Sequence, residues 1–351
     1  EPDSASIRVT VPENLFAVSN GVLTRIDSSV NKKVSYQWTV SNPINNYNLA
    51  VHIGNYAQSK AEYMSRNGQN LRLDYFYLKQ DQELAQEKLS IVPKMLEVYE
   101  YYFGPYPFIE DGFKIVQSPY PMEHQSCVAV GQYFEDQLIL HEAAHEWWGN
   151  SVSIADNAHI WINEAFATYA ESLYIEQTLG YVLGQEYLTV KKGDIQNDHP
   201  LVGVEGVNHF HYRIEDKYFK GALMLNTLRH LVADDELWFK VLLGIQRDFR
   251  HSFIDTNRLL NYLNDNLGTD YTSFFHQYLL TVNIPVLAVH QTNMGFRFRW
   301  ENTEKDFEMP LKWGEYTINP TEEWQITNLD MANSDNLKSL ESAYLIKVSL
   351  K

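Results

Sequence analysis

The sequence predicts a multidomain α+β protein, and three observations predict it. Residues 1–78 alternate apolar and polar side chains between turn signals, residues 79–284 carry mainly helical spacing, and residues 285–351 return to alternation. A chain of 351 residues that is 44% apolar and 14% aromatic has material for two or three packed cores, which excludes global disorder.

In chain order, Ile7 to Val11 alternates, Asn20-Gly21 is a hairpin signal, and Val34 to Val40 alternates again. Leu71 to Leu78 reads as a further strand. From Gln80 to Tyr102 the period becomes helical, with Leu84, Leu89, Val92, Leu96 and Tyr99 on one face and Pro93 dividing or kinking the run. Prolines 105, 107, 119 and 121 and Gly131 mark 105–135 as irregular or strand-like. Helical patterning then covers 137–149, 158–180, 184–196, 217–233, 235–249, 256–267 and 270–282. Beyond Pro285, Phe296 to Trp300 and Tyr344 to Val348 are strand-like. The expected boundaries are 1–78 for a partial N-terminal β domain, 79–284 for a mainly α domain and 285–351 for a small C-terminal β-sandwich-like domain.

Charge narrows the function classes. With 28 basic against 45 acidic residues, the formal net charge is −17, which repels phosphate backbones and excludes nucleic acid as a partner. No uncharged apolar run approaches the roughly 18 residues of a transmembrane segment. One cysteine, Cys127, rules out an intrachain disulfide and a thiolate zinc cage, and it reads as a small buried residue. The chain opens Glu1-Pro2-Asp3 with neither a basic nor an apolar leader, so the expectation is a soluble protein without a signal peptide in this chain, either cytoplasmic or processed after export.

The strongest signal is His141-Glu142-Ala143-Ala144-His145. Residues four apart share a helix face, so the two imidazoles can converge on one zinc ion, which takes nitrogen ligands near 2 Å in tetrahedral geometry. Glu142 lies beside the pair, where a carboxylate acts as general base toward the attacking water. The alternative is a surface helix that carries two histidines by chance. A catalytic site needs a third ligand, and Glu164, 19 positions after His145 on the next predicted helix, is the candidate, weighed against a solvated helix carboxylate.

Flanking residues extend the pattern. Trp147-Trp148-Gly149-Asn150 follows the histidine pair, Pro121-Met122-Glu123-His124-Gln125-Ser126 precedes it, and Tyr218-Phe219-Lys220-Gly221-Ala222 lies beyond Glu164. Together with Phe103-Gly104-Pro105-Tyr106-Pro107-Phe108 these motifs resemble the gluzincin metallopeptidases of the aminopeptidase N and leukotriene hydrolase family, over about 90–285. The resemblance implies a thermolysin-like catalytic domain holding one zinc ion on His141, His145 and Glu164, with Glu142 as general base. It gives Tyr218 the role of phenol donor to the oxyanion, against the default of a packed tyrosine. It gives Met122 and Glu123 to substrate binding, with Glu123 pairing the free α-ammonium group of a peptide. The implied function is an aminopeptidase whose partner is a peptide with a free N-terminus. The alternatives are a gluzincin endopeptidase, an epoxide hydrolase-like enzyme, and a non-catalytic peptide-binding scaffold.

The motifs also depart from the family. Tyr120-Pro121 stands where the family has a small Gly-Ala or Gly-Gly pair, and His124 replaces its Asn. Both put the edge of the first specificity pocket in question. Relatives usually carry a longer N-terminal β domain that contributes a second anchor for the substrate amine, and residues 1–78 resemble only its later strands. An incomplete sheet would leave edge strands open to pairing with another chain or with a detached N-terminal piece. Glu171, two turns after Glu164, can orient a ligating imidazole or be a plain exposed carboxylate. His209, His211, His230, His251 and His276 show no ligand spacing and read as surface or core histidines.

Overall fold

The computed structural model describes residues 2–28, 31–207, 215–292, 295–314, 316–327 and 335–351. Its chain divides into two compact units, Glu1–Ser153 with Gln246–Ser252, and Ile154–Ile245 with Phe253–Lys351.

The first unit starts with strands β1 (Ala5–Pro12), β2 (Phe16–Ser19), β3 (Val22–Ser28), β4 (Lys33–Val40), β5 (Val51–Gly54), β6 (Tyr56–Met64) and β7 (Asn70–Leu78). Strand β4 is central in an antiparallel β1-β4-β3 sheet, and β2 pairs with β5. The alternation of Ile7, Val9 and Val11 places those side chains against Tyr36, Trp38 and Phe76 in one apolar cluster, with Val18, Val116 and Cys127.

Asn20-Gly21 does not close a hairpin. It is a corner: β2 before it joins β5, whereas β3 after it joins β4. The local signal was correct for a turn, since Gly21 has φ +73°. The pairing was decided by packing, because the corner presses on β4 so closely that a Cβ at Gly21 would lie 2.1 Å from the Thr39 carbonyl oxygen.

After β7 the chain forms α1 (Gln82–Lys88) and α2 (Val92–Phe103). Pro93 sits in the first turn of α2, where its missing N–H costs nothing, so the periodic run is two helices. Strands β8 (Phe113–Val116) and β9 (Val128–Ala129) extend a β6-β7-β8-β9 sheet, parallel from β7 onward. Helix α3 (Asp136–Ala144) and strand β10 (Val152–Ile154) follow.

The second unit holds α4 (Trp161–Leu179), α5 (Tyr181–Lys191), α6 (Phe219–Val232), α7 (Asp235–Asp248), α8 (Thr256–Leu267) and α9 (Thr272–Leu280), within a few residues of the expected spans, with α7 ending beyond Ile245 and β11 (Ser252–Ile254) preceding α8. Gly180 ends α4 at φ +103°, and Asp255 caps α8 by accepting from the Arg258 N–H at 2.8 Å.

The C-terminal segment differs from the expected sandwich. Strands β12 (Val286–Thr292) and β13 (Gly295–Glu301) pair antiparallel, β14 (Leu311–Trp313) and β15 (Tyr316–Ile318) form a separate ribbon, and β16 (Gln325–Thr327) joins β13. Helix α10 (Asp335–Ala343) then leads to β17 (Lys347–Leu350), which lies parallel to β12. A parallel neighbour requires a crossover, and α10 supplies it. Lys192 fastens this end by donating to the carbonyls of Glu341, Tyr344 and Ile346 at 2.9, 3.3 and 2.7 Å.

Among the described residues no helix is long and apolar enough to cross a membrane. Cys127 is free and buried, and burial pushes its thiol up to about 12.

Gly21→Ala should lower the thermal midpoint, because left-handed backbone alone costs a non-glycine residue on the order of 1–3 kcal/mol and the Thr39 contact adds to it. An unchanged midpoint in thermal unfolding would show that β4 can yield at Thr39.

Candidate active site

Helix α3 carries the candidate site residues at its buried C-terminal end. His141, Glu142, His145 and Glu146 are all buried, an expensive arrangement that requires partners. The α-helical hydrogen bonds stop at Ala144, before the expected end at 149. Beyond it the N–H groups of Asn150, Ser151 and Val152 donate five residues back, to His145, Glu146 and Trp147, in a wider turn. The turn brings the Trp148 carbonyl to the His145 ring, whose Nδ1–H donates to it at 2.9 Å. That bond sets the tautomer with Nε2 carrying the lone pair. His145 Nε2 lies 3.2 Å from His141 Nε2.

Aromatic side chains clamp this turn. Trp147 packs on Tyr99 and Tyr106 with ring centroids 5.8 Å apart in both pairs, and its indole N–H donates to the Gly104 carbonyl at 3.0 Å. Phe103 meets Trp148 edge to face at 5.5 Å, and the Tyr99 hydroxyl donates to the Leu140 carbonyl at 2.8 Å. The Phe103–Phe108 segment and α2 therefore act as a wall for the histidine turn. Glu146 accepts from the Ser126 N–H at 2.7 Å, and burial pushes its carboxyl up to about 8.

Glu123 belongs to the same unit. Met122 before it forms a reciprocal bridge with Ala129, both N–H···O distances being 3.0 Å, so the segment is a short extension of the sheet beyond β9. The Asn150 side chain donates to the Glu123 carbonyl at 3.0 Å. One carboxylate oxygen of Glu123, one of Glu142 and a ring nitrogen of His145 all lie within 4.8 Å of one another.

The second unit holds Glu164 on α4 and Tyr218 at the start of α6. These helices approach closely because Gly221 has no side chain: a Cβ there would lie 2.5 Å from the Ala165 Cβ. Lys217 Nζ lies 3.3 Å from Glu164 Oε1 and 4.9 Å from the centroid of the Tyr218 ring. Lys220, in the Tyr-x-Lys-Gly motif, is buried and donates to the Thr281 carbonyl at 2.8 Å; burial lowers its ammonium to about 8. Glu171 accepts a hydrogen bond from Tyr187 on α5.

His141 and His145 are buried in the first unit, and Glu164 is buried in the second. Two nitrogens bound to zinc at tetrahedral angles would sit about 3.3 Å apart, which the 3.2 Å imidazole pair matches. Two neutral imidazoles and one carboxylate are a zinc donor set that leaves a coordination position for chemistry.

Four residues of this site were not singled out from the sequence. Tyr47 donates to Glu123 Oε1 at 2.5 Å, His52 on β5 meets His124 with ring centroids 5.4 Å apart, Asn150 holds the Glu123 strand, and Lys217 pairs with Glu164. Asn150 alone stood inside a motif, and the other three carry no local signal. Of the remaining histidines, His251 stacks on Phe108 with ring centroids 5.2 Å apart, and His230 Nε2 accepts from the Tyr181 hydroxyl at 3.0 Å while its Nδ1–H donates to the Asn226 carbonyl; His209 and His211 lie outside the described residues.

Residues 122–278 match the Peptidase family M1 domain. This match bears out the gluzincin resemblance drawn from the motifs. Aminopeptidase B of Rattus norvegicus is 26% identical over 330 residues, 86% of this chain and 47% of the relative. Leucyl aminopeptidase of Saccharolobus solfataricus is 22% identical over 309 residues, 81% of this chain and 38% of the relative. The chain thus spans less than half the length of these curated relatives. The crystal structure of an M1 zinc metallopeptidase from Deinococcus radiodurans superposes with a TM-score of 0.69 at 24% identity, over 80% of this chain and 64% of that one. A two-domain M1 zinc metallopeptidase mutant bound to L-arginine gives 0.65 at 26% identity, over 76% and 61%.

The His52–His124 pair gives the first unit a pH signature. Burial lowers His52 from 6.5 to about 4, helped by His124; burial also lowers His124, against the upward pull of Glu123. Both rings stay neutral in the fold while the unfolded chain binds protons below about 6.5, so stability is lost as pH falls from there through about 4. The thermal midpoint of the wild type should fall more steeply across that window than that of His52→Gln. Parallel curves would exclude His52 as a source of acid sensitivity.

Proposed function

We propose that this chain is a zinc-dependent aminopeptidase that hydrolyses the first peptide bond of substrates with a free N-terminus. In this reading residues 79–284 are the catalytic domain, between the β segments 1–78 and 285–351. The observation that carries it is the closeness of the Glu123 and Glu142 carboxylates, within 4.8 Å of each other beside His145. In a peptide, the α-nitrogen stands two bonds from the first carbonyl carbon, about 2.5 Å away. A carboxylate that holds the α-ammonium must therefore lie within a few ångström of the base that serves the attacking water. An endopeptidase would need that space for preceding residues of the substrate. The likeness to an M1 zinc metallopeptidase bound to L-arginine, a free amino acid, supports the same reading.

The roles follow from the donor and acceptor chemistry of each side chain. His141, His145 and Glu164 would hold zinc, which supplies Lewis-acid polarisation of the scissile carbonyl and acidifies the attacking water. Glu142 takes the proton of the water as it attacks, then delivers it to the leaving amine. Tyr218 donates its phenol proton in a hydrogen bond to the oxyanion of the tetrahedral intermediate, a bond stronger there than in the ground state. Glu123 pairs with the α-ammonium group and fixes the register, with Met122 beside it on the same strand.

The deciding assay compares one peptide with its N-acetylated form, products being read by mass spectrometry. Stepwise loss from the free peptide alone is expected, and internal cleavage of both would make the enzyme an endopeptidase. Glu142→Gln should retain zinc and lose about 10²- to 10⁴-fold in kcat; near-normal turnover would remove Glu142 from the base role. Tyr218→Phe should lower kcat by about 10²- to 10³-fold with little change in KM. A change confined to KM would assign Tyr218 to ground-state binding.

A further inference from the structure

Lys217 ends the single turn Glu215–Lys217 that leads into α6. The turn is held on two sides. Buried Asp216 accepts from the N–H groups of Gln196 and Asn197 at 2.7 and 2.6 Å, and the Tyr218 N–H donates to the Glu215 carbonyl at 3.0 Å. Gly221, four residues on, seats α6 against Ala165 of α4, the neighbour of Glu164 in the chain. Between these fixed points the Lys217 ammonium lies 3.3 Å from Glu164 Oε1, and the two side chains are only 10% and 9% exposed. The same Nζ stands 4.9 Å from the centroid of the Tyr218 ring. Lys220, the other lysine of this segment, is directed elsewhere and donates to the Thr281 carbonyl at 2.8 Å. Glu164 therefore has a cationic partner within its own unit, built into a fastened turn and largely shut off from water.

We propose that Lys217 is a built-in counter-ion that occupies Glu164 in the metal-free chain and competes with the metal ion for it, so that zinc binds less tightly than its donor set alone would allow. This inference rests on the reading of Glu164 as a zinc ligand. A buried carboxylate needs a positive partner, or it gives up its charge. Without metal Lys217 is that partner, and it keeps Glu164 ionised and in place. A divalent cation on the same carboxylate meets the same need, and it meets the ammonium as a like charge in surroundings that screen little. The two cations are therefore coupled with negative sign: each weakens the hold of Glu164 on the other by the same factor. A neutral donor at this position would orient the carboxylate without the competition, so the charge of Lys217 is the feature that sets the affinity.

The test strips the 351-residue chain of metal and measures two quantities at one fixed pH. These are the zinc Kd, by competition with a chromogenic chelator, and the thermal midpoint of the metal-free protein. Lys217→Met should tighten zinc binding about ten- to a hundredfold, the usual range of coupling between two ligands of one protein, while the metal-free midpoint falls because Glu164 has lost its partner. Opposite signs in the two readings are the signature, since a change that merely loosens the fold does not strengthen metal binding. Lys217→Arg keeps the charge and should stay near the wild type in both. Lys217→Gln removes the charge alone and should tighten zinc like the methionine variant, which keeps the test open if Lys217→Met does not fold. On a Glu164→Gln background the Lys217 change should move Kd by no more than about twofold, because the two cations no longer share a carboxylate. Zinc binding that weakens or stays level in both Lys217→Met and Lys217→Gln would overturn the counter-ion role and leave Glu164 a ligand. A Glu164→Gln variant that binds zinc like the wild type would overturn both.

Discussion

Four ionisable side chains, His141, Glu142, His145 and Glu146, are buried on one helix end, and the first unit is organised around that constraint. Buried polar groups without partners would unfold the helix end, so each surrounding element presents a bonded group. The Trp148 carbonyl takes His145, the Ser126 N–H takes Glu146, and Asn150 ties the turn to the Glu123 strand. Ser126 adopts φ +53° to do so, a backbone conformation that non-glycine residues rarely hold without a surrounding network. The aromatic wall of Tyr99, Phe103, Tyr106 and Trp147 keeps water away from the same turn, which strengthens every polar contact inside it.

The second unit meets a different requirement, that of close approach. Gly221 lets α6 lie against Ala165 of α4, and this fixes where Tyr218 and Lys217 stand relative to Glu164. Lys220 beside it spends its charge on the Thr281 carbonyl. The Tyr-x-Lys-Gly motif therefore has two physical jobs besides the role we propose for its phenol: an ammonium that ties α6 to the end of α9, and an absent side chain that permits the contact.

Acidity and amine recognition fit together in the reading we propose. A formal charge of −17 favours cationic over anionic ligands in general, but selection for a terminal ammonium demands fixed acceptors at one distance from the base. Glu123 is such an acceptor, and its strand is tied to the buried Asn150. His124 and His52, both held neutral by burial, avoid adding positive charge beside it.

Much of this was legible in the sequence, because its signals were local. Positions four apart on a helix face must neighbour each other, so His141 and His145 stood out as a candidate pair before any coordinates, and helical period placed α4 to α9 to within a few residues. Proline chemistry divided α1 from α2 for the same reason. Tertiary structure decided what depends on partners distant in the chain. Asn20-Gly21 had to turn, but only contact with Thr39 and the buried amides made it a corner between sheets instead of a hairpin. The strands after Pro285 had to pair, but the crossover through α10 set one of them parallel and removed the sandwich. Tyr47 and Glu123 are 76 residues apart and share no periodicity, so their hydrogen bond exists only once the turn at Asn46–Asn48 and the strand at Met122 are fastened to the same buried side chains. Local sterics can be read from neighbours along a chain; a contact that closes a long loop is chosen by the packing of everything between its ends.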